Sequence, residues 1–292
     1  MKKIYGIGVL FLFALVIGCK SDKTSKAGQS ETDDTLSEIN KLIMIDTSDH
    51  KLLFQRAQYY YDLENYDAAI QDLKKAIEME ANEAPYYHLL SDCYLDYYKS
   101  KEALQTMEKA GDLFPERIMT QLKLSETQHI LKQYEASLFT IAKVLTMDDQ
   151  NAEAYFMMGL NFRAMNEIDR AKNAFQTATE LNPELLDAWL ILGKLYENDN
   201  DPMALQYYDA AININPELPS TWHAKAFFLQ NNNRIPEAID IYKQISQIDK
   251  YYLDAYLNSG ILYMELDSFE QAYTQFDIMA QLKSQNFISY YY

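Results

Sequence analysis

Residues 152–185, AEAYFMMGLNFRAMNEIDRAKNAFQTATELNPEL, specify a pair of helices because their apolar side chains fall on two helical stripes. This spacing predicts two amphipathic helices, A and B, joined by a short turn. The small residues Gly159 and Ala171 predict a close approach of A to B. Asn182-Pro183 ends helix B, since a residue before proline is disfavoured in the helical region. The first stripe is Tyr155, Met158, Gly159 and Phe162, and the second is Ala171, Phe175 and Ala178.

The same pattern recurs along most of the chain. Its marker residues, spaced by 34, 34, 34, 34, 33 and 34, are Leu53, Tyr87, Gln121, Tyr155, Trp189, Trp222 and Tyr256. A period of this length predicts a solenoid, in which each unit buries its apolar face only against its neighbours. The period places seven repeats at residues 50–83, 84–117, 118–151, 152–185, 186–218, 219–252 and 253–284, together 50–284.

The repeat resembles the tetratricopeptide repeat, whose pattern is W-x2-L-G-x2-Y, then A-x3-F-x2-A, then P, over about four fifths of the chain. The resemblance implies an all-α fold, an α-solenoid superhelix of about seven helix-turn-helix repeats. The third repeat departs most from the pattern, and we expect looser packing there. The fifth repeat carries Leu192, Gly193, Tyr196, Ala204, Tyr208, Ala211 and Pro216, whereas the third has Gln121, Ser125, Gln128, Ser137 and Val144 at signature positions.

Both ends of the array follow the same phase. Residues 35–49 are predicted to form an N-terminal capping helix, because Thr35-Leu-Ser-Glu38 reads as a capping box. Its apolar face is expected to contain Ile39, Leu42 and Ile45. Residues 285–292 form a C-terminal stub, which is either the start of an eighth helix A or a frayed aromatic tail.

The N-terminal residues do not follow the repeat pattern. Residues 1–18 are typical of a lipoprotein signal peptide, because two lysines precede an apolar run too short to span a bilayer. Val16-Ile17-Gly18-Cys19 resembles a bacterial lipobox, which implies lipidation of Cys19, with palmitate or a similar acyl chain. An ordinary signal peptide cut elsewhere and an uncleaved anchor are the alternatives. Residues 19–34 are polar and predict a lipidated cysteine followed by a flexible tether.

The net charge argues against a nucleic-acid partner, and the cysteine content argues against an intrachain disulfide. The chain has a formal net charge of −17, which repels phosphate backbones and predicts no binding of nucleic acid. Apart from Cys19, Cys93 is the only cysteine, so the folded region cannot contain an intrachain disulfide. The position of Cys93 in a helix A favours a buried apolar filler.

No sequence motif indicates catalysis. The chain lacks a phosphate-binding glycine loop, a nucleophile elbow and a two-His-one-Glu helix motif. A metal site is conceivable from His88, Asp92, Glu126 and His129, but its ligands would have to converge from adjacent repeats. We therefore predict a protein that is not an enzyme and that has no metal and no cofactor.

The resemblance also implies where a partner would bind. In tetratricopeptide arrays, positions 2, 5, 6, 9, 12 and 13 of helix A line the concave groove, and we call these the groove positions. The Lys and Asn arrangement that clamps a C-terminal carboxylate in chaperone-binding members is absent, and apolar residues prevail. This composition favours an apolar or amphipathic peptide. The residues proposed for binding are Phe54, Tyr61, His88, Leu122, Phe156, Leu160, Leu190, Phe227 and Ile261.

These features predict a non-catalytic, membrane-anchored scaffold for protein–protein interactions in an envelope assembly. Resemblance to enterobacterial lipoproteins favours the periplasmic face of an outer membrane, because Lys20 stands where an aspartate would retain the protein at the inner membrane. The alternatives are a catalytic or metal-dependent lipoprotein and a surface-exposed lipoprotein that handles nutrients.

Overall fold

The computed structural model describes the backbone of residues 25–289 and the side chains of residues 34–283. These residues form fifteen α-helices, and no strand occurs among them. The predicted all-α fold of helix-turn-helix repeats is confirmed. The signal peptide, Cys19 and residues 290–292 lie outside the described residues. The chain divides into two compact units between Lys99 and Ser100.

After α1 (Ser25–Ile45), the helices alternate as A and B members of seven pairs. Each helix A begins at the residue where the sequence period places the start of a repeat. The A helices are α2 (His50–Asp62), α4 (Ala84–Asp96), α6 (Ile118–Ile130), α8 (Ala152–Ala164), α10 (Leu186–Asn198), α12 (Pro219–Asn231) and α14 (Leu253–Glu265). The B helices are α3 (Tyr66–Met79), α5 (Ser100–Leu113), α7 (Tyr134–Met147), α9 (Ile168–Leu181), α11 (Met203–Ile214), α13 (Ile235–Ile248) and α15 (Phe269–Ser289).

Within each unit, a helix B packs on its own helix A and on the helix A that follows. The close approach predicted for Gly159 is confirmed, because a Cβ atom there would lie 2.7 Å from the Phe175 ring. Ala171, the second small residue of the prediction, is completely buried. A second link joins successive repeats, since the indoles of Trp189 and Trp222 each donate a 2.8 Å hydrogen bond to the carbonyl of a proline in the preceding repeat.

The A helices end with one residue in the left-handed region. In the third repeat this residue is Lys132, with φ of 60°, and its N–H donates to the carbonyl of His129. The next N–H, of Gln133, reaches back to the carbonyl of Gln128 at 2.8 Å, which closes the helix as in a Schellman motif. The equivalent residues in the other repeats are Glu64, Tyr98, Asn166, Asn200, Asn233 and Asp267, all with φ between 54° and 63°.

Buried polar side chains occupy signature positions of the third repeat and bond to one another, while the expected looser packing stays a prediction. Ser137 donates to the Ser125 carbonyl at 2.8 Å, and Thr140 donates to Gln128 Oε1 at 2.9 Å. Asn161 from the next repeat donates to Ser137 Oγ at 2.9 Å. These polar groups are buried and bonded to one another, so hydrogen bonds replace the apolar contacts of the signature.

The N-terminal helix α1 differs from the prediction in both length and register. It begins at Ser25, so residues 25–34 of the predicted tether are helical. Extending an existing helix adds a hydrogen bond for each residue fixed without a new nucleation cost, and no proline interrupts this segment. α1 packs on α2, yet Leu42 and Ile45 of the predicted apolar face are exposed. The half-buried apolar side chains of α1 are Leu36, Ile39 and Ile43.

The last helix, α15, passes through the predicted end of the seventh repeat and continues to Ser289. The first residues of the predicted stub at 285–292 therefore extend helix B instead of starting an eighth helix A. The asparagine-proline pair that follows α9 has no counterpart between Ile278 and Ser289, so nothing in this segment stops the helix.

Candidate functional site

The predicted binding residues of the first unit are half-buried and tied to neighbouring side chains. The ring of Phe54 lies 4.8 Å from that of Tyr86, centroid to centroid. The hydroxyl of Tyr61 donates a 2.6 Å hydrogen bond to Asp96 Oδ2, and burial together with this bond raises the pKa of Tyr61. His88 is also half-buried. These three residues therefore offer a mixed aromatic and polar surface.

In the second unit, two of the predicted binding residues belong to the core. Leu122 is 7% exposed and packs with Ile141 and Val144. Leu160 is 8% exposed and packs with Ala188 and Leu192 of the following repeat. Adjacent A helices lie close enough to cover these side chains, so neither Leu122 nor Leu160 is an accessible anchor. This corrects their assignment from the sequence.

Phe156 and Leu190 have an intermediate position. The Phe156 ring meets that of Phe175 edge-on, with centroids 5.6 Å apart. Leu190 packs against the cluster around Tyr208 and Phe228. Each keeps part of its side chain accessible, so a ligand could contact either one without displacing core residues.

His223, at one of the groove positions of the sixth repeat, is surrounded by an aromatic cluster. Its ring stacks on Phe227 at an interplanar angle of 15° and lies 5.7 Å from the ring of Tyr242. Asn258 Nδ2 donates a 3.1 Å hydrogen bond to His223 Nε2. Burial lowers the pKa of His223, so the imidazole is neutral at pH 7. The sequence did not indicate this cluster, because its members come from three helices.

The seventh repeat presents the most accessible apolar stripe of any helix A in the second unit. Leu257, Ile261 and Met264 are 37%, 39% and 51% exposed, and they succeed one another at intervals of one helical turn on α14. Of the residues proposed from the sequence, Ile261 and Phe227, at 39% and 38% exposed, have the most accessible side chains.

The described residues contain no group of three or more His, Cys, Asp or Glu side chains placed to hold a metal ion. Between residues 25 and 289, none of the helices combines the length and the hydropathy needed to cross a bilayer.

Comparison with known families gives two matches. Residues 50–83 and residues 156–219 each match the tetratricopeptide repeat family. The first segment is the α2–α3 pair, and the second covers most of the α8–α9 and α10–α11 pairs.

Individual relatives are distant. The chain is 20% identical over 278 residues to DnaJ homolog subfamily C member 7 of Mus musculus and 21% identical over 224 residues to Hsp70-Hsp90 organizing protein of Triticum aestivum. These alignments cover 85% and 73% of this chain but only 56% and 37% of the relatives, so the chain spans about half or less of their length. Among solved structures, yeast Tom70 has the same fold, with a TM-score of 0.61, 20% identity, and coverage of 90% of this chain and 57% of that chain.

Proposed function

Because the chain is a tetratricopeptide repeat protein, we propose that it is a non-catalytic scaffold that binds an apolar or amphipathic segment of a protein partner. Tetratricopeptide repeat proteins act as scaffolds for protein–protein interactions, and such scaffolds are typically non-catalytic. The name of the wheat relative, an organizing protein for Hsp70 and Hsp90, supports a role in holding other proteins.

One observation carries the proposal. On the A helices of the second unit, every large apolar side chain that is exposed among the described residues occupies a groove position. Single exposed apolar residues are ordinary, but a set that falls only at groove positions of α6, α12 and α14 is typical of a binding surface. These side chains are Met119, Ile130, Phe227, Leu257, Ile261 and Met264.

The membrane anchor is the second part of the proposal. Cys19 follows Val16-Ile17-Gly18, as the lipidated cysteine follows the apolar residues of a lipobox. The two or three acyl chains expected on a bacterial lipoprotein make attachment effectively permanent, because each buried CH₂ contributes about 0.8 kcal/mol. We place the protein on the periplasmic face of an outer membrane, in an envelope assembly. The anchor and the groove would then hold a partner at the membrane surface.

The groove is tested by removing its accessible apolar side chains while leaving the core intact. The change is Leu257→Gln combined with Ile261→Gln, since both side chains are more than a third exposed and lie on one side of α14. A matched control is Phe139→Gln combined with Tyr273→Gln, which removes two exposed rings from B helices. Peptides selected from a displayed random library against the full chain serve as the ligands.

We expect the selected peptides to be rich in apolar residues and to bind the control variant as tightly as the unchanged protein. The groove variant should lose affinity by tenfold or more, because an anchor side chain can contribute about 2 kcal/mol and 1.4 kcal/mol corresponds to a factor of ten. Circular dichroism checks that both variants remain helical. Equal affinities for the two folded variants would show that the groove positions of α14 are not the binding surface.

A further inference from the structure

A shallow cavity of about 280 Å³, wide open to solvent, lies between α8 and α9, away from the groove positions. Its apolar walls come mostly from α8 and its polar rim comes from α9. The residues that line it are Tyr155, Met158, Phe162, Arg170, Asn173, Ala174 and Thr177.

The cavity and the groove lie on different sides of α8. At 100° per residue, the direction of Tyr155, Met158 and Phe162 differs from that of Phe156 and Leu160 by about 150°. A ligand in the cavity would therefore not contact the groove side chains of the same helix.

The cavity exists because Ala174 is small. The next repeat places Trp189, Leu192 and Tyr196 at the positions of the three α8 wall residues, each 34 residues further on. There, the counterpart of Ala174 is Tyr207, whose ring centroid lies 4.9 Å from that of Tyr196. Tyr207 also lies 6.0 Å from the Trp189 ring, is 8% exposed, and so fills the equivalent space.

The hydroxyl of Tyr207 shows how a phenol finds a hydrogen-bond partner in such a space. Gln176 Nε2 donates a 2.8 Å hydrogen bond to it from the edge of the cleft. In the fourth repeat, Asn173 and Thr177 provide polar atoms at the edge of the cavity, and the Arg170 guanidinium lies 3.8 Å from the centre of the Phe162 ring. The two repeats thus combine aromatic walls with a polar edge.

We propose that the cavity between α8 and α9 is a binding site for the phenol side chain of a tyrosine presented by a protein partner. The neighbouring repeat fills the equivalent space, between Trp189 and Tyr196, with the phenol of its own Tyr207. The volume lies just below the range of about 300–1,000 Å³ typical of pockets for drug-sized ligands, so it suits one side chain. This site goes beyond the groove of the proposed function and does not depend on it.

The test uses N-acetyl-tyrosinamide as the probe and the ¹³C-methyl signals of the methionines as reporters. Met158 lines the cavity, whereas Met119 lies at a groove position. We expect a saturable ring-current shift of the Met158 methyl signal and no comparable shift at Met119. N-acetyl-leucinamide should bind at least several-fold more weakly, because it cannot pair with the aromatic walls.

Filling the cavity from within should abolish the response. Ala174→Tyr copies the fifth repeat and should weaken binding of the probe at least tenfold. Ala174→Met, which fills the same space with a more adaptable side chain, provides a second test if the first variant does not fold. The groove variant Leu257→Gln with Ile261→Gln should bind the probe as the unchanged protein does.

Three results would overturn the proposal. They are the absence of a saturable Met158 shift, equal affinities for the two amides, and full binding by a folded protein in which Ala174 has been enlarged. Failure of this test leaves the groove experiment unaffected, since the groove is assayed with different variants and different ligands.

Discussion

At the scale of the residue, the size of one side chain decides how closely two helices can pack. Gly193 of α10 faces the ring of Tyr208 on α11, and a Cβ atom on Gly193 would lie 2.4 Å from Tyr208 Cε1. The Tyr208 hydroxyl donates to Glu197 Oε2 at 2.5 Å, so the ring is held at both ends. The ring therefore has little freedom to move away from an added methyl group.

We predict that Gly193→Ala destabilises the protein although alanine favours helix. Overpacking destabilises by about 1–3 kcal/mol, whereas the helical preference of alanine over glycine stabilises by about 1 kcal/mol. The expected net loss in the free energy of unfolding is about 1 kcal/mol, measured by urea denaturation. Gln206→Ala, on the exposed side of α11, should change it by less than about 0.5 kcal/mol. A gain in stability with Gly193→Ala would contradict the close approach.

Two other residues show how context changes the role of a side chain. Burial raises the pKa of the Cys93 thiol to about 12, so Cys93 is the inert filler that its position in helix A indicated. Arg56 stands at a signature position that is apolar in the repeat pattern. It pairs through two 2.7 Å bonds with Asp72, which is 7% exposed, and a third bond reaches Asn40 of α1. The ion pair joins the two helices of the first repeat, and the bond to Asn40 joins that repeat to the helix before it.

At the scale of the element, the turn between helices A and B repeats one backbone conformation with different residues. A left-handed residue ends the A helices, yet the sequence supplies glycine at none of these positions. Asparagine and aspartate tolerate this conformation because their short polar side chains bond locally, whereas lysine, glutamate and tyrosine do not have this advantage. The Schellman bonds that close each helix override the local preference.

We predict that Lys132→Gly stabilises the protein. A left-handed non-glycine residue costs about 1–2 kcal/mol, while the greater freedom of glycine in the unfolded chain costs about 0.4–1 kcal/mol. The net gain should be a few tenths to about 1 kcal/mol in the free energy of unfolding. Asn166→Gly is the matched control and should give a smaller gain, since asparagine already tolerates its φ of 63°. A clear loss of stability with Lys132→Gly would contradict the left-handed turn.

At the scale of the whole molecule, the proposed anchor and the net charge of −17 act together. A strongly acidic chain is repelled by anionic headgroups, so a lipid on Cys19 would supply the attachment that electrostatics opposes. The repeats would then stand in solution next to the membrane, where their groove positions can meet a partner.

The anchor predicts the behaviour of Cys19→Ser in the native host. This variant should move from the membrane fraction to the soluble fraction or persist as an unprocessed precursor, because serine cannot form the thioether that carries the lipid. Cys93→Ala is the control and should stay attached to the membrane, since the Cys93 thiol is buried. Immunoblots of cell fractions give the readout. A mature, membrane-bound Cys19→Ser protein would contradict the lipoprotein hypothesis.

The fold class and the phase of the repeats follow from the amino-acid sequence alone. The 34-residue period places the starts of the A helices, and the residues at its signature positions form most of the core, as Phe175, Ala178 and Leu192 show. This information is local, because the spacing of apolar residues on a helix sets which face is buried. Gly159 and Ala171 revealed the close contact of A with B for the same reason.

The accessibility of individual side chains, and the space left between helices, depend on the packing of the folded chain. Leu122 and Leu160 stand at groove positions but are covered by neighbouring helices, and Leu42 of α1 is exposed because that helix packs in another register. The cavity beside Ala174 depends on the bulk of side chains from two helices. Helical periodicity assigns a direction to each side chain. Its burial depends on how near and how large the neighbouring helices and side chains in that direction are.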